Sequence, residues 1–255
     1  MIHYHGTPIT PRAEFLRLAG RNFCVSFGTS SKTEVKVAHQ IGQLVMLDNG
    51  AFSIWKRGEQ PEPVPQPFRG LVPADWSAYY EWAHEHTSSR STWAVIPDVI
   101  GIDDPGKCAE QNEILLADWP VSLIPKEQSA PVWHLHEPID RLLRLVNKWP
   151  RVCFGSSGRY MHVGSDLWHR RMDIVFNKIS DPSGRIPCAT HMLRGMSCTG
   201  SYYPFTSVDS TDVARNYKNR HKNVVVAADR WDRIQNPSMW YRKMEQPDLL
   251  EEWPR

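Results

Sequence analysis

Eight short apolar runs recur along the 255 residues, and most end on a polar residue or a glycine at the same relative place. Phe23–Phe27 ends at Gly28, Leu44–Leu47 at Asp48, and Trp93–Ile96 at Pro97-Asp98. Val132–Leu135 carries His134 and is followed by His136, while Val152–Phe154 ends at Gly155-Ser156. Ala189–Leu193 runs toward Gly195, Phe205–Val208 into Asp209-Ser210, and Val224–Ala228 into Asp229. Helix-patterned segments fill several of the gaps, and strand–helix alternation implies a parallel sheet. Eight such units predict an α/β fold, a single (β/α)8 TIM barrel over 1–255, a size that matches the roughly 250 residues this architecture takes. Its active site would lie at the carboxyl ends of the strands, where these polar residues fall.

The helical expectations rest on apolar spacing. Trp76, Tyr79, Tyr80 and Ala83 predict a helix from Asp75 to His86. Further helices are predicted over 106–119, 139–146, 165–179 and 211–220, the last behind a capping Ser210-Thr211. The tail, 237–255, reads as a C-terminal helix packed on the barrel through Trp240, Leu249 and Trp253. One segment after the second predicted strand differs. Prolines at 61, 63, 65 and 67 follow Lys56-Arg57, and alternate prolines hold a stiff, extended loop. A lid, a nucleic-acid clamp and a plain surface connection are all compatible with it.

Composition narrows the class. No stretch approaches the roughly 20 apolar residues of a membrane span, and Met1-Ile-His-Tyr-His lacks a secretory pattern. Five cysteines without paired spacing fit a reduced, cytoplasmic setting. The net charge of +2 conceals a block: 141–222 holds 14 Lys and Arg against 5 Asp and Glu, or +9. Such a block suits a polyanionic partner, and it equally suits solvated helix faces. Arg215, Lys218, Arg220 and Lys222, with Lys56 and Arg57, are the candidate phosphate contacts.

Three carboxylates, Asp48, Asp98 and Asp209, stand at predicted strand ends with no Lys or Arg at a matching end. Asp48, before Asn49-Gly50, either points into the mouth or caps its own turn. Asp209 looks inward if Val208 faces the helices. Two carboxylates about an anomeric carbon can split a glycosidic bond, one attacking and one managing the proton. His134 and His136 share a strand face and could read a base edge or bind metal; His3 and His5 form a second pair ahead of the first predicted strand. His191 reads as a packed core histidine.

Taken in order, Gly6-Thr-Pro-Ile-Thr-Pro, Ser26-Phe-Gly-Thr, Leu47-Asp-Asn-Gly-Ala-Phe-Ser, Ile96-Pro-Asp-Val-Ile, Val132-Trp-His-Leu-His, Phe154-Gly-Ser-Ser-Gly and Ser207-Val-Asp-Ser-Thr resemble the tRNA-guanine transglycosylase superfamily. The likeness is greatest to its short, phage- and island-borne branch, which inserts 7-deazaguanines into DNA. The resemblance implies Asp209 as nucleophile and Asp48 as general acid/base. It further implies Asp98, His134, His136, Gly155 and Ser156 as base contacts, although the family has a glutamine where His134 or His136 falls. The zinc-binding Cys-x-Cys-x-x-Cys cluster of the tRNA enzymes has no counterpart, which favours DNA over tRNA. The expected activity is that of a pentosyltransferase exchanging guanine for a free 7-deazaguanine such as preQ0, with no metal or redox cofactor. A hydrolytic glycosylase on the same scaffold, a metal-dependent amidohydrolase using the histidines, and a non-catalytic nucleic-acid-binding barrel are the rivals.

Overall fold

The computed structural model describes residues 1–28, 32–53 and 76–243. Nine strands form one sheet: β1 (Ile2–Gly6), β2 (Asn22–Ser26), β3 (Val45–Asp48), β4 (Thr92–Val95), β5 (Ser129–Ala130), β6 (Val132–His134), β7 (Arg151–Gly155), β8 (Ala189–Met192) and β9 (Ser207–Ser210). The order is β5-β4-β3-β2-β1-β9-β8-β7-β6, and every pairing is parallel. Only Pro131 separates the two end strands in the chain, so the sheet curls into a nearly closed barrel. Helices flank it: α1 (Arg12–Leu16), α2 (Lys32–Ile41), α3 (Ser77–His86), α4 (Pro105–Asp118), α5 (Ile139–Lys148), α6 (Asp166–Ile179), α7 (Asp212–Arg220) and α8 (Val224–Asp232). Among the described residues no helix is long and apolar enough to cross a membrane.

Two-residue alternation sorts each strand between two cores. On β3, Val45 and Leu47 join the large cluster beneath the helices, while Met46 faces the barrel interior. Interior positions are filled by Tyr4, Cys24, Met46, Trp93, Val95, Ala130, Val132 and Cys153. Trp93 Nε1 donates to the Tyr4 hydroxyl at 2.9 Å, and the Arg151 guanidinium lies 4.4 Å from the centre of the Trp93 ring. This plug closes the barrel below its carboxyl mouth. Val208 belongs to the helix-side cluster, which turns Asp209 inward.

Three expectations need correction. The run Val224–Ala228 is not a strand but the first turns of α8. The Asn223 Oδ1 accepts from Val225 N at 3.0 Å, and Val224, Ala227 and Ala228 bury one helical face. The first strand is instead β1, in which His3 and His5 point outward toward α8, His5 Nε2 lying 3.0 Å from Asp232 Oδ1. The tail is not helical over 237–243; Trp240 nevertheless packs into the core, its N–H donating to the Gly184 carbonyl at 2.8 Å. Residues 244–255, Asp75, and the proline-rich segment with Lys56 and Arg57 lie outside the described residues.

Candidate active site

A cavity of ≈ 720 Å³ opens at the carboxyl ends of the strands. Asp48, Asp98, His134, Gly155, Ser156, Asp209 and Arg215 line it, together with Cys24, Ser26, Asn49, Phe52 and Arg194. Each acid arrives by the same local logic. The inward residue at or just past the end of a parallel strand has no further sheet to enter, so its side chain meets the mouth.

Asp48 sits at the end of β3, opposite Ser26 in the register with β2. One of its oxygens accepts from Gly50 N at 3.2 Å. Gly50 adopts φ +78°, and a Cβ there would come within 2.7 Å of Gly28 N, so only glycine fits this turn. Burial pushes the Asp48 carboxyl up to about 6; the nearby Ser26 hydroxyl pulls it back, while the charges of Asp209 and Asp98 add to the rise. Asp48 therefore stands near the point where it can give or take a proton at neutral pH.

Asp98 lies three residues beyond β4 and is held from both sides. Asn49 Nδ2 donates to Oδ1 at 2.7 Å, and His134 Nε2 lies 2.9 Å from Oδ2. Asn49 also donates to the Ile96 carbonyl at 3.0 Å and accepts from Ala51 N at 2.8 Å, so the turn after Asp48 aims Asp98 as well. Burial draws the His134 pKa down. The hydrogen bond and charge of Asp98, with the charge of Glu137 behind, outweigh it and leave His134 above its ordinary value. Gly155 makes room for that ring: a Cβ would lie 2.6 Å from His134 Nδ1.

Asp209 on β9 shows a sharp asymmetry between its oxygens. Oδ1 accepts from Arg194 N at 2.7 Å and lies 3.2 Å from His191 Nε2. Among the described residues Oδ2 has no hydrogen bond. Since a carboxylate only accepts, His191 presents Nε2–H to it, and His191 Nδ1 takes the Ser207 hydroxyl at 2.8 Å. Burial is the largest influence on His191 and leaves it below its ordinary value despite Asp209. Arg194 is one of two non-glycine residues at positive φ (+54°) among those described, a strained geometry that delivers its N–H to Asp209. Its guanidinium lies 3.8 Å from the centre of the Phe52 ring.

The remaining candidates separate. His136 does not line the cavity: its Nδ1 is 2.6 Å from Ser157 Oγ and its Nε2 2.9 Å from the Ile102 carbonyl. Ser156 lines the cavity and takes the Trp168 Nε1–H at 3.1 Å. Arg215 is at the rim. Lys218 follows one turn later, and Lys222 lies beyond the far end of α7, about 10 Å down an axis rising 1.5 Å per residue. Arg220, at that end, faces Asp212 at 3.6 Å. The basic run thus recedes from the mouth instead of following the rim. Lys56 and Arg57 lie outside the described residues. Among the described residues no three His, Cys, Asp or Glu side chains are grouped to hold a metal ion. Three contributors escaped the sequence reading: Asn49, His191 and Arg194. Only Asn49 left a signal there, as part of the Asp-Asn-Gly turn.

Comparison with protein-family models, with curated proteins and with solved structures finds no match to this chain.

Proposed function

We propose that this chain is a (β/α)8 barrel, β5 and β6 counting as one strand interrupted at Pro131, and that it exchanges guanine in nucleic acid for a 7-deazaguanine. The observation that carries the reading is the pairing in one cavity of two unlike carboxylates. Asp209 has one saturated and one bare oxygen, and Asp48 has a pKa lifted to about 6. Unequal carboxyls of this kind divide the labour of a double displacement. The substrate class follows from the resemblance of the strand-end motifs to guanine transglycosylases, and from a cavity large enough for a nucleotide base with its sugar.

The target nucleotide first leaves its stack. Asp209 Oδ2 attacks C1′; the C1′–N9 bond breaks, its electron pair passes to guanine, and protonated Asp48 supplies the proton that neutralises the leaving base. A sugar–aspartyl ester remains. The incoming base loses its ring N–H proton to the Asp48 carboxylate, its nitrogen attacks C1′, and Asp209 departs as a carboxylate. His134 and Asp98 form the polar wall against which the base is held. DNA is favoured over tRNA because the cysteine cluster of the tRNA enzymes is lacking.

The test is incubation of the protein with guanine-labelled DNA and with tRNA, each with and without a 7-deazaguanine such as preQ0. Base-dependent release of label is expected. Release without added base identifies a hydrolytic glycosylase, and no release from either polymer removes the transglycosylase reading.

A further inference from the structure

We infer that the mouth carries a one-sided track for a single nucleic-acid strand, in which Arg159, Arg194 and Arg215 take consecutive phosphates. This rests on the nucleic-acid reading of the same cavity and specifies how the polymer lies across it. The three arginines follow β7, β8 and β9, three neighbouring strands of the sheet, and all are exposed. Arg194 and Arg215 line the cavity, and Arg159 stands three residues beyond Ser156, which also lines it.

Several cations of the basic block are engaged elsewhere, whereas these three stand at the carboxyl ends of the strands without a carboxylate partner among the described residues. Arg141 is buried against Glu137 at 2.7 Å and Glu113 at 2.8 Å, and Arg185 faces Asp181 at 3.1 Å. Arg171 donates to the Leu135 and Glu137 carbonyls. Arg159, Arg194 and Arg215 have no ion pair among the described residues. Two of them are stacked: Arg194 on Phe52 at 3.8 Å, Arg159 on Tyr160 at 5.0 Å. A guanidinium held by its face keeps its N–H edge for phosphate and loses less freedom on binding.

The opposite sector has the reverse sign. The segment after β4 holds Asp98 in the cavity and, five and six residues on, Asp103 and Asp104 exposed. A phosphate chain is repelled there and drawn to the β7–β9 side. Adjacent strands lie about 4.8 Å apart, so the three loops span roughly 10 Å. One backbone fills that width, whereas a duplex would overhang the acidic sector. The track borders Asp209, which places the sugar of a strand held there beside the bare Oδ2.

The experiment measures binding of the full chain to a labelled 12-nucleotide single strand, as DNA and as RNA, between 50 and 300 mM KCl. Arg159→Ala, Arg194→Ala and Arg215→Ala should each weaken binding several-fold and flatten the log–log salt slope by about 0.7. Asp103→Lys should tighten binding and steepen the slope. Arg194→Lys should recover most of the slope lost in Arg194→Ala, and thermal melting checks that each variant is folded. A preference for DNA or for RNA identifies the source of the phosphodiester, and either supports the track. Folded arginine variants that keep the parental affinity and slope overturn it, as does a parent protein that binds neither strand. A parent that binds both with the expected slope yet releases no guanine leaves the track standing and removes the exchange reading.

Discussion

Two buried imidazole–carboxylate pairs face one cavity at nearly equal distances, His134 with Asp98 at 2.9 Å and His191 with Asp209 at 3.2 Å. They behave oppositely. Burial lowers both histidines, and both aspartates oppose it, yet His134 ends above its ordinary value and His191 below. The second layers differ. Behind His134 stands Glu137, whose charge adds to that of Asp98 and exceeds the opposing effect of its partner Arg141; behind His191 stands the Arg151 cation, which adds to the effect of burial. The raised His134 keeps a proton available to the Asp98 side of the cavity up to a higher pH than an ordinary imidazole would. A neutral imidazole orients Asp209 without cancelling the charge an attacking carboxylate needs. The nearest partner does not by itself set the protonation state of a buried group.

The largest expected effect comes from erasing the anionic member of the second pair. Asp209→Asn should keep the fold and lower exchange by about 10⁴-fold or more, because an amide cannot form the sugar ester. Turnover near the parental rate would move the nucleophile to Asp48. Next is the orienting imidazole. His191→Ala should lower kcat by about 5- to 150-fold, the loss of one buried hydrogen bond to a charged group, with KM little changed. His191→Gln, which retains an N–H donor, should recover part of that loss. If Gln and Ala are equally impaired in kcat and equally destabilised, His191 is only packing.

Glu137→Gln tests the second layer directly. Glu137 also accepts from Asn112 Nδ2 at 2.5 Å and from Arg141 at 2.7 Å, so an amide there disturbs a buried network by about 1–3 kcal/mol. His134 should then titrate lower, as followed by its ring proton resonances; an unmoved titration dismisses Glu137 as the cause of the difference between the pairs. The smallest effect is on stability at Asp48. Its carboxyl is raised in the native state, so the folded protein binds the proton more tightly than the unfolded chain. Stability is therefore greatest below the unfolded value and is lost as pH climbs toward about 6. Asp48→Asn should abolish exchange yet gain on the order of 1–2 kcal/mol in chemical denaturation at pH 8, with no gain at pH 4. A variant less stable than the parent at pH 8 contradicts the sign.

Much of the fold was legible, partly through two errors that cancelled. The predicted strand total of eight stayed close to the nine observed because β1 was overlooked while Val224–Ala228 was counted. His3 and His5, followed by Gly6-Thr-Pro, stand ahead of the first predicted strand; they lie on β1, face α8 and are met by Asp232, a partner more than 200 residues away. Val224–Ala228 is an apolar run too short for periodicity to separate strand from helix, and the Asn223 cap decides it. In the site, His136 shares a strand direction with His134, yet Ser157 and Ile102 occupy both its nitrogens.

From sequence alone it followed that Asp48, Asp98, His134, Gly155, Ser156 and Asp209 stand at one edge of a parallel sheet. That inference needs only a period of two and strands running the same way, and both are local properties. Only the folded chain decided which imidazole is raised and which lowered, that Asp209 has one oxygen without a hydrogen bond among the described residues, and that Arg194 reaches from the loop after β8 to Phe52 in the turn after β3. Each of these depends on groups brought together from separate strands, and electrostatic and hydrogen-bond energies follow distance in space, not position in the chain.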